Sequence, residues 1–269
     1  MKSFRTVLLL SFFALSLLPL SSSFAIDGTA LVNLNAANNN QWYWFNKTSM
    51  QRGGVNLDGF DGAELAARLG DGTAILETGG QYYWFDQNTV HRGSVNLDSF
   101  DNIIEEIHPL GDGTALMKLN AANSNQIYWF AQTTMQRGGV NLDGFDGANI
   151  MATLGDGTAI LETGGQHYWF DQSTLHRGSV NLDSFDNAIE EIHSLGDGTA
   201  LIKTNFGAPN NQWFYFDQTT LHRGTLGLDN FDGAIELVGS LDTLIPEPTT
   251  GMLLAMALCG LTIRPRRGG

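Results

Sequence analysis

The chain contains little cysteine and little positive charge. Its single cysteine, Cys259, follows the repeated region, which therefore has no disulfide and no thiol chemistry. Residues 26–248 contain 9 Lys and Arg residues against 28 Asp and Glu residues, a formal charge of −19. This charge repels nucleic acid and anionic lipid surfaces, and it favours cations or keeps an extracellular protein soluble. We therefore expect no nucleic-acid partner and a fold stabilised by packing alone.

Catalytic and metal-binding motifs are also missing. The sequence has no Gly-x-Ser-x-Gly, phosphate-binding loop, dinucleotide fingerprint or His-Glu-x-x-His. His91 has Gln51 and Gln136 at the equivalent places of other repeats, which argues against a repeated histidine metal centre. A glycosidase would need two carboxylates in different environments, whereas the repeats are nearly alike. We predict that the protein is not an enzyme and has no resident cofactor.

The chain does contain one motif five times. Asp-Gly-Thr-Ala begins at Asp27, Asp71, Asp112, Asp156 and Asp197, at steps of 44, 41, 44 and 41 residues. Between these markers each copy has a glutamine, an aromatic cluster, an Arg-Gly pair and a Leu-Asp-x-Phe-Asp segment. A period just above 40 residues, built from short strands, is typical of a propeller blade.

The second copy shows the expected strands. Apolar or aromatic segments at 73–78, 81–85, 90–97 and 103–107 are separated by turns rich in Gly, Asn and Asp. They predict a four-stranded antiparallel meander in each copy. The adjacent glutamates 105 and 106 leave a single helical turn open as an alternative for the last segment.

The two ends of the repeated region predict how the array closes. The first copy begins at Ile26 without a preceding strand, and the fifth copy is followed by a surplus segment at 235–241. If that segment supplies the missing strand, the ring closes and leaves no exposed edge. We predict an all-β fold, a five-bladed β-propeller over residues 26–244, with an open β-solenoid as the alternative.

Residues 1–25 are expected to be a signal peptide rather than part of the fold. Lys2 and Arg5 precede an apolar stretch at 7–20, and Ser23-Phe24-Ala25 offers a cleavage site. The apolar stretch is shorter than the roughly 20 residues of a membrane anchor, which is the alternative. We predict export and a role for signal peptidase.

The C-terminal residues 245–269 have their own pattern. The tripeptide Pro246, Glu247 and Pro248 is followed by an apolar run at 251–263 and by Arg264, Arg266 and Arg267. In this order the three features resemble a PEP-CTERM sorting signal. The resemblance covers only this tail. It implies a bacterial substrate of an exosortase, delivered to the cell surface or extracellular matrix, with the membrane touched only by a transmembrane helix in the tail before processing.

Two repeated positions are candidates for ligand binding, an aromatic residue and an arginine eight residues later. The aromatic residues are Trp44, Trp84, Trp129, Trp169 and Tyr215, and the arginines are Arg52, Arg92, Arg137, Arg177 and Arg223. Exposed in a groove, the rings would stack on sugars and the arginines would anchor an acidic or hydroxyl-rich polymer. In the structural alternative the rings pack between sheets and each arginine pairs with an aspartate. A turn at 87–88 would set Arg92 across from Tyr83.

Pairs of aspartates three residues apart recur after each arginine. They stand at 58 and 61, 98 and 101, 143 and 146, 183 and 186, and 229 and 232. Calcium needs six to eight oxygen ligands, which such a pair does not supply without help. Aspartate is also a common turn former, so calcium is kept only as an alternative.

These features together predict an exported, non-catalytic surface or matrix protein. Near-identical blades suit weak, repeated binding to a repeating partner, so surface polysaccharide is the expected ligand. A structural scaffold without a ligand is the alternative. Calcium-dependent adhesion and a propeller glycosidase are further alternatives.

Overall fold

Five antiparallel sheets make up the fold in the computed structural model, which describes residues 29–206 and 211–235 together with Val238. The first sheet contains β1 (Ala30–Asn33), β2 (Trp42–Phe45) and β3 (Met50–Gln51). The second contains β4 (Glu64–Arg68), β5 (Ala74–Thr78), β6 (Gln81–Phe85) and β7 (Val90–His91). The third contains β8 (Ile104–Pro109), β9 (Ala115–Leu119), β10 (Ile127–Phe130) and β11 (Met135–Gln136). The fourth contains β12 (Asn149–Thr153), β13 (Ala159–Thr163), β14 (Gln166–Phe170) and β15 (Leu175–His176). The fifth contains β16 (Ile189–Ser194), β17 (Ala200–Thr204), β18 (Gln212–Phe216) and β19 (Leu221–His222).

The strand order in every sheet follows the chain, so each sheet is a meander. Four sheets have four strands and the first has three, and no α-helix occurs in the described residues. The all-β class predicted from the sequence is confirmed. The segment at 103–107 is a strand rather than a helical turn, and it begins the third sheet by pairing with β9.

The strand expected over 90–97 is wrong. Only Val90 and His91 pair with the sheet, and the chain then leaves the β region at Arg92 (φ −141°, ψ −77°). Asn96 adopts the left-handed region with φ 64°, which asparagine tolerates better than other side chains. Two 3₁₀ turns therefore replace the outer half of the expected strand.

Short 3₁₀ helices recur along the chain, after each two-residue strand and in the hairpins β1–β2 and β9–β10. They lie at Ala36–Asn38, Gly53–Val55, Gly93–Val95, Leu97–Phe100, Ala121–Asn123, Gly138–Val140, Leu142–Gly144, Gly178–Val180, Leu182–Phe185, Gly224–Leu226 and Leu228–Phe231. Those after the two-residue strands of the first four sheets contribute apolar side chains such as Val95, Leu97 and Phe100 to the core.

Several expectations fall outside the described residues. The signal peptide at 1–25 and the sorting tail at 245–269 lie there, with Pro246, Glu247, Pro248, Arg264, Arg266 and Arg267. Of the expected closing strand at 235–241, only Ile235 and Val238 are described. Among the described residues, no helix has the length and apolar character needed to cross a membrane.

The core lies between neighbouring sheets. Four apolar clusters join the first sheet to the second, the second to the third, the third to the fourth and the fourth to the fifth. In the cluster between the second and third sheets, Leu69 and Ile75 meet Met117 and Phe130, all fully buried. Because burial of each such side chain stabilises by about 1.5–3 kcal/mol, adjacent sheets depend on each other for stability.

Glycine backbones meet where the first and second strands of the second to fifth sheets turn. Gly70, Gly111 and Gly155 have φ values of 98°, 96° and 92°. A Cβ atom on Gly111 would lie 2.2 Å from the carbonyl oxygen of Gly155, and one on Gly70 would lie 2.2 Å from that of Gly111. Only glycine combines this backbone conformation with so close an approach. Consecutive sheets are therefore stacked through a column of glycine backbones.

We expect Gly111→Ala to destabilise the protein by roughly 3 kcal/mol, because alanine adds backbone strain and a clash with a carbonyl group that cannot rotate away. Gly144→Ala is the matched control, since a Cβ there meets nothing within 4 Å. The free energy of unfolding in urea measures both. Equal stability of the two variants would contradict the proposed close approach.

Candidate functional site

The arginine of each repeat is held where the outer strand ends. Arg92 is the residue before the 3₁₀ turn Gly93–Val95, and its backbone has left the strand conformation. The chain turns back at Asn96, so the arginine side chain donates a hydrogen bond to the aspartate nine residues later, as Arg92 does to Asp101. The resulting ion pairs are Arg52 with Asp61, Arg92 with Asp101, Arg137 with Asp146, Arg177 with Asp186, and Arg223 with Asp232. The pairing expected from the sequence is confirmed, with the second aspartate of each pair as the partner.

An aromatic ring lies beneath each guanidinium group. Arg92 Cζ is 5.5 Å from the ring centroid of Tyr83, as expected from the register in which Trp84 faces His91. The other four arginines lie 5.7 to 5.9 Å from the rings of Tyr43, Tyr128, Tyr168 and Phe214. These separations fit cation–π contacts. We call the arginine, its aspartate and this ring the Arg–Asp–aromatic unit.

The Arg–Asp–aromatic unit lies at the surface without being fully exposed. The arginine side chains are 18–28% exposed and the aspartate side chains 24–41%. In the first four sheets the tyrosine hydroxyl also donates a hydrogen bond to a glutamine two residues earlier, as from Tyr83 to Gln81 at 2.7 Å. Each unit therefore presents a partly exposed charged pair at the surface, and in the first four sheets a glutamine amide and a tyrosine hydroxyl lie beside it.

Each ion pair contains buried atoms that make no hydrogen bond. The Nε atom of every one of these arginines is buried and has no hydrogen-bond partner, and Oδ1 of Asp101 is in the same state. A bidentate fork between guanidinium and carboxylate would satisfy both atoms at once.

The tryptophans expected to bind ligand lie between sheets. Trp84 packs edge to face against Phe130 of the next sheet, with ring centroids 5.9 Å apart, and Trp44, Trp129 and Trp169 pack in the same way on Phe85, Phe170 and Phe216. One face of Trp84 also stacks on His91 at 4.9 Å. The rings are only partly exposed. A ligand role for these positions stays a prediction.

Sequence reasoning missed a histidine–aspartate pair in three sheets. Nε2 of His91 lies 3.0 Å from Asp86 Oδ2, and the pairs His176–Asp171 and His222–Asp217 match it at 2.8 and 2.7 Å. The signal was present as covariation between repeats. At this position of the repeat, histidine occurs where the residue five positions earlier is aspartate, and glutamine occurs where that residue is Asn46 or Ala131.

Hydrogen bonds hold these aspartates in the charged form. Burial opposes ionisation of Asp171, but bonds from the Ser173 hydroxyl, from His176 and from the backbone of Thr174 and Ser173 outweigh it and lower the pKa to about 2. The pKa of Asp86 is lowered in the same manner against its own burial. Each of these aspartates therefore stabilises the fold at neutral pH, and its contribution is lost as the pH falls through the lowered pKa.

One histidine is buried in the fourth sheet. His167 is 2% exposed and occupies the place of Tyr82 in the second sheet. Burial disfavours its protonated form and lowers its pKa, although the carboxylates of Glu162 and Asp186 act in the opposite direction. This ring is therefore neutral in the folded protein at neutral pH.

The described residues include no cluster of three or more His, Cys, Asp or Glu side chains placed to hold a metal ion. In each aspartate pair considered for calcium, the second carboxylate binds the arginine of its own unit, and Asp143 binds Arg137 as well. Comparison of the chain with protein-family models, with characterised proteins and with solved structures found no match. Any assignment of function therefore depends on the chemistry of the site itself.

We expect Arg92→Ala to destabilise the protein by about 1–2 kcal/mol, because it leaves a partly buried carboxylate without its partner. Glu105→Ala is the control, since Glu105 is exposed and lies outside the unit. Urea unfolding of Arg92→Ala, Asp101→Asn, their double variant and the control measures the coupling. If Arg92→Ala cost no more than Glu105→Ala, the ion pair would not contribute to stability.

The buried histidine predicts a dependence of stability on pH. Because the folded pKa of His167 lies below its unfolded value of 6.5, the unfolded chain binds more protons below that pH, and the free energy of unfolding falls as the pH drops. The slope from one such group is at most about 1.4 kcal/mol per pH unit. His167→Tyr, which copies the second sheet, removes this slope, and Tyr82→His adds one. Identical pH profiles for wild type and both variants would contradict the assignment.

Proposed function

We propose that the protein is an exported, non-catalytic protein of a bacterial surface or matrix, and that it binds polysaccharide through repeated weak sites on a closed five-bladed propeller. The observation that carries this proposal is the recurrence of the Arg–Asp–aromatic unit, at similar exposure, in all five sheets. The geometry supports five equivalent binding sites rather than one unique site.

The chemistry of the unit suits hydroxyl-rich polymers. An aromatic ring contacts the apolar face of a sugar, while guanidinium, carboxylate and amide groups exchange hydrogen bonds with its hydroxyls. Each group already has an internal partner, so a single site gains little from binding. Linked sites on one rigid body bind a repeating polymer far more tightly than any one site does. The terminal sequences are the basis for two further parts of this proposal, which are export of the protein and processing of its sorting tail by an exosortase.

The repeats favour binding over catalysis because no described carboxylate site is singled out. The carboxylates whose pKa is lowered, and which are therefore held in the charged form, are Asp86, Glu106, Glu162, Asp171, Glu191 and Asp217. A glycosidase needs two carboxylates in different environments, whereas the five units are nearly alike. Equivalent units suit repeated binding of a repeating partner.

A scaffold without a specific ligand is the second candidate. The observation that favours it is the internal use of the tryptophans, whose rings pack between sheets rather than in an open groove.

A glycan and polysaccharide array, probed with and without calcium, tests the proposal. We expect binding that does not require calcium, followed by calorimetry that gives close to one oligosaccharide for each of the five units. Arg92→Lys keeps the charge but loses the planar fork, so it should remove one site per chain. Arg68→Lys is the control and should leave the number of sites unchanged. Absence of binding across the array would favour the scaffold, and an unchanged number of sites in Arg92→Lys would remove the unit from the binding surface.

A further inference from the structure

Among the described residues, the first sheet has one strand fewer than every other sheet. β5, β9, β13 and β17 each lie between two strands, whereas β1 pairs only with β2 in the same part of the chain. No described residue covers the opposite edge of β1, and proteins normally cover such an edge.

A largely apolar cavity of about 280 Å³ lies beside that edge. Ala30, Leu31 and Trp44 of the first sheet line it on one side, and Leu65, Ala74 and the side chain of Arg68 of the second sheet line it on the other. Leu69, Leu110 and Leu154 follow the first strands of the second, third and fourth sheets and are fully buried. The first sheet has no described residue at the equivalent place.

The two end sheets also expose side chains that are buried elsewhere. Phe45 is 36% exposed, whereas Phe85, its equivalent in the second sheet, is fully buried. Leu226 and Phe231 of the fifth sheet are 55% and 54% exposed, while Val180 and Phe185 at the same positions of the fourth sheet are 3% and 6% exposed. The first sheet thus exposes the face that packs against the preceding sheet in the other repeats. The fifth sheet exposes the face that packs against the following sheet.

We propose that residues 235–241 of the same chain dock on the free edge of β1 as its fourth strand and fill this cavity. Their sequence, Ile-Glu-Leu-Val-Gly-Ser-Leu, matches β16 and the residue after it, Ile-Glu-Glu-Ile-His-Ser-Leu, at four of seven positions. They also begin shortly after the last 3₁₀ helix of the fifth sheet, as Ile189 comes shortly after the last 3₁₀ helix of the fourth sheet. The proposal rests on the propeller proposed above but not on its ligand.

The pairing in the fifth sheet gives a register for the docked strand. There Ile192 faces Ile202 and Ser194 faces Ala200. Transferred to the first sheet, the same register sets Val238 opposite Val32 and Ser240 opposite Ala30. Leu241 then takes the place that Leu69 has in the second sheet. The fifth sheet then comes against the first. Leu226 covers Phe45, as Val180 shares a cluster with Phe216, and Phe231 packs on Tyr43, as Phe185 packs on Phe214.

Disulfide cross-linking tests the register, because the repeated region has no native cysteine. In the full chain carrying Cys259→Ser, Val32→Cys with Val238→Cys places two thiols on directly opposite residues, within reach of a bond. We expect oxidation to give a monomer with one internal disulfide, identified by mass spectrometry of the linked peptides. Val32→Cys with Gly239→Cys is the control, since neighbouring residues of a strand point to opposite faces.

Two outcomes of the cross-linking would overturn the proposal. Disulfide-linked dimers or ladders would place the strand on a second copy of the chain, and a disulfide yield no higher than in the Gly239 control would contradict the proposed register.

Hydrogen exchange on the chain without cysteine substitutions is a second measurement, which does not require the double variant to fold. We expect the amides of β1 to be protected as strongly as those of β5, and rapid exchange of β1 would mean that its edge is free. Neither readout depends on glycan binding, so failure of the ligand proposal is recognised separately.

Discussion

The close approach of glycine backbones between sheets is the constraint on which the rest of the structure depends. At the Gly-Asp-Gly-Thr turn, a Cβ on Gly155 would lie 2.3 Å from the carbonyl oxygen of Gly196, and the turns of the second and third sheets repeat this geometry. This contact fixes how near one sheet comes to the next. Only at that distance do the fully buried phenylalanines meet the tryptophans of the preceding sheet.

Hydrogen bonds at the same turns fix the rotation of each sheet against its neighbour. Gly113 N–H donates to Leu69 O at 2.9 Å, and Gln132 Nε2 donates to Asp71 Oδ2 at 2.7 Å. The corresponding bonds from Gln172 to Asp112 and from Gln218 to Asp156 measure 2.5 Å. Both the carboxylate and the amide are partly buried, so loss of either leaves a polar group without its partner. The Asp-Gly-Thr-Ala motif that defines the repeat is thus explained by contacts between sheets.

Most of the strands could be predicted from the sequence because glycine and asparagine punctuate them and apolar runs fill them. Ala74 to Leu76 and the aromatic run that begins at Gln81 are strands for that reason. The outer strand could not be predicted, because Val95 and Leu97 look like strand residues although they reach the core from 3₁₀ turns. In that case the left-handed backbone at Asn96 overrides β propensity. The ion pair of Arg92 followed from spacing, whereas the bond between His91 and Asp86 required a comparison of covarying positions among the repeats.

The same residues contribute to stability and are proposed to bind, and this overlap limits the kind of function that the fold can have. A guanidinium already paired with a carboxylate and stacked on a ring exchanges one partner for another when a ligand arrives, so the net gain at one unit is small. A protein built this way gains affinity only by engaging several units at once, which requires a partner that repeats at a matching spacing. The fifth unit supports this interpretation. It retains Arg223 and Asp232, but Phe214 has replaced the tyrosine, so loss of one hydroxyl weakens one contact among many rather than abolishing a unique site.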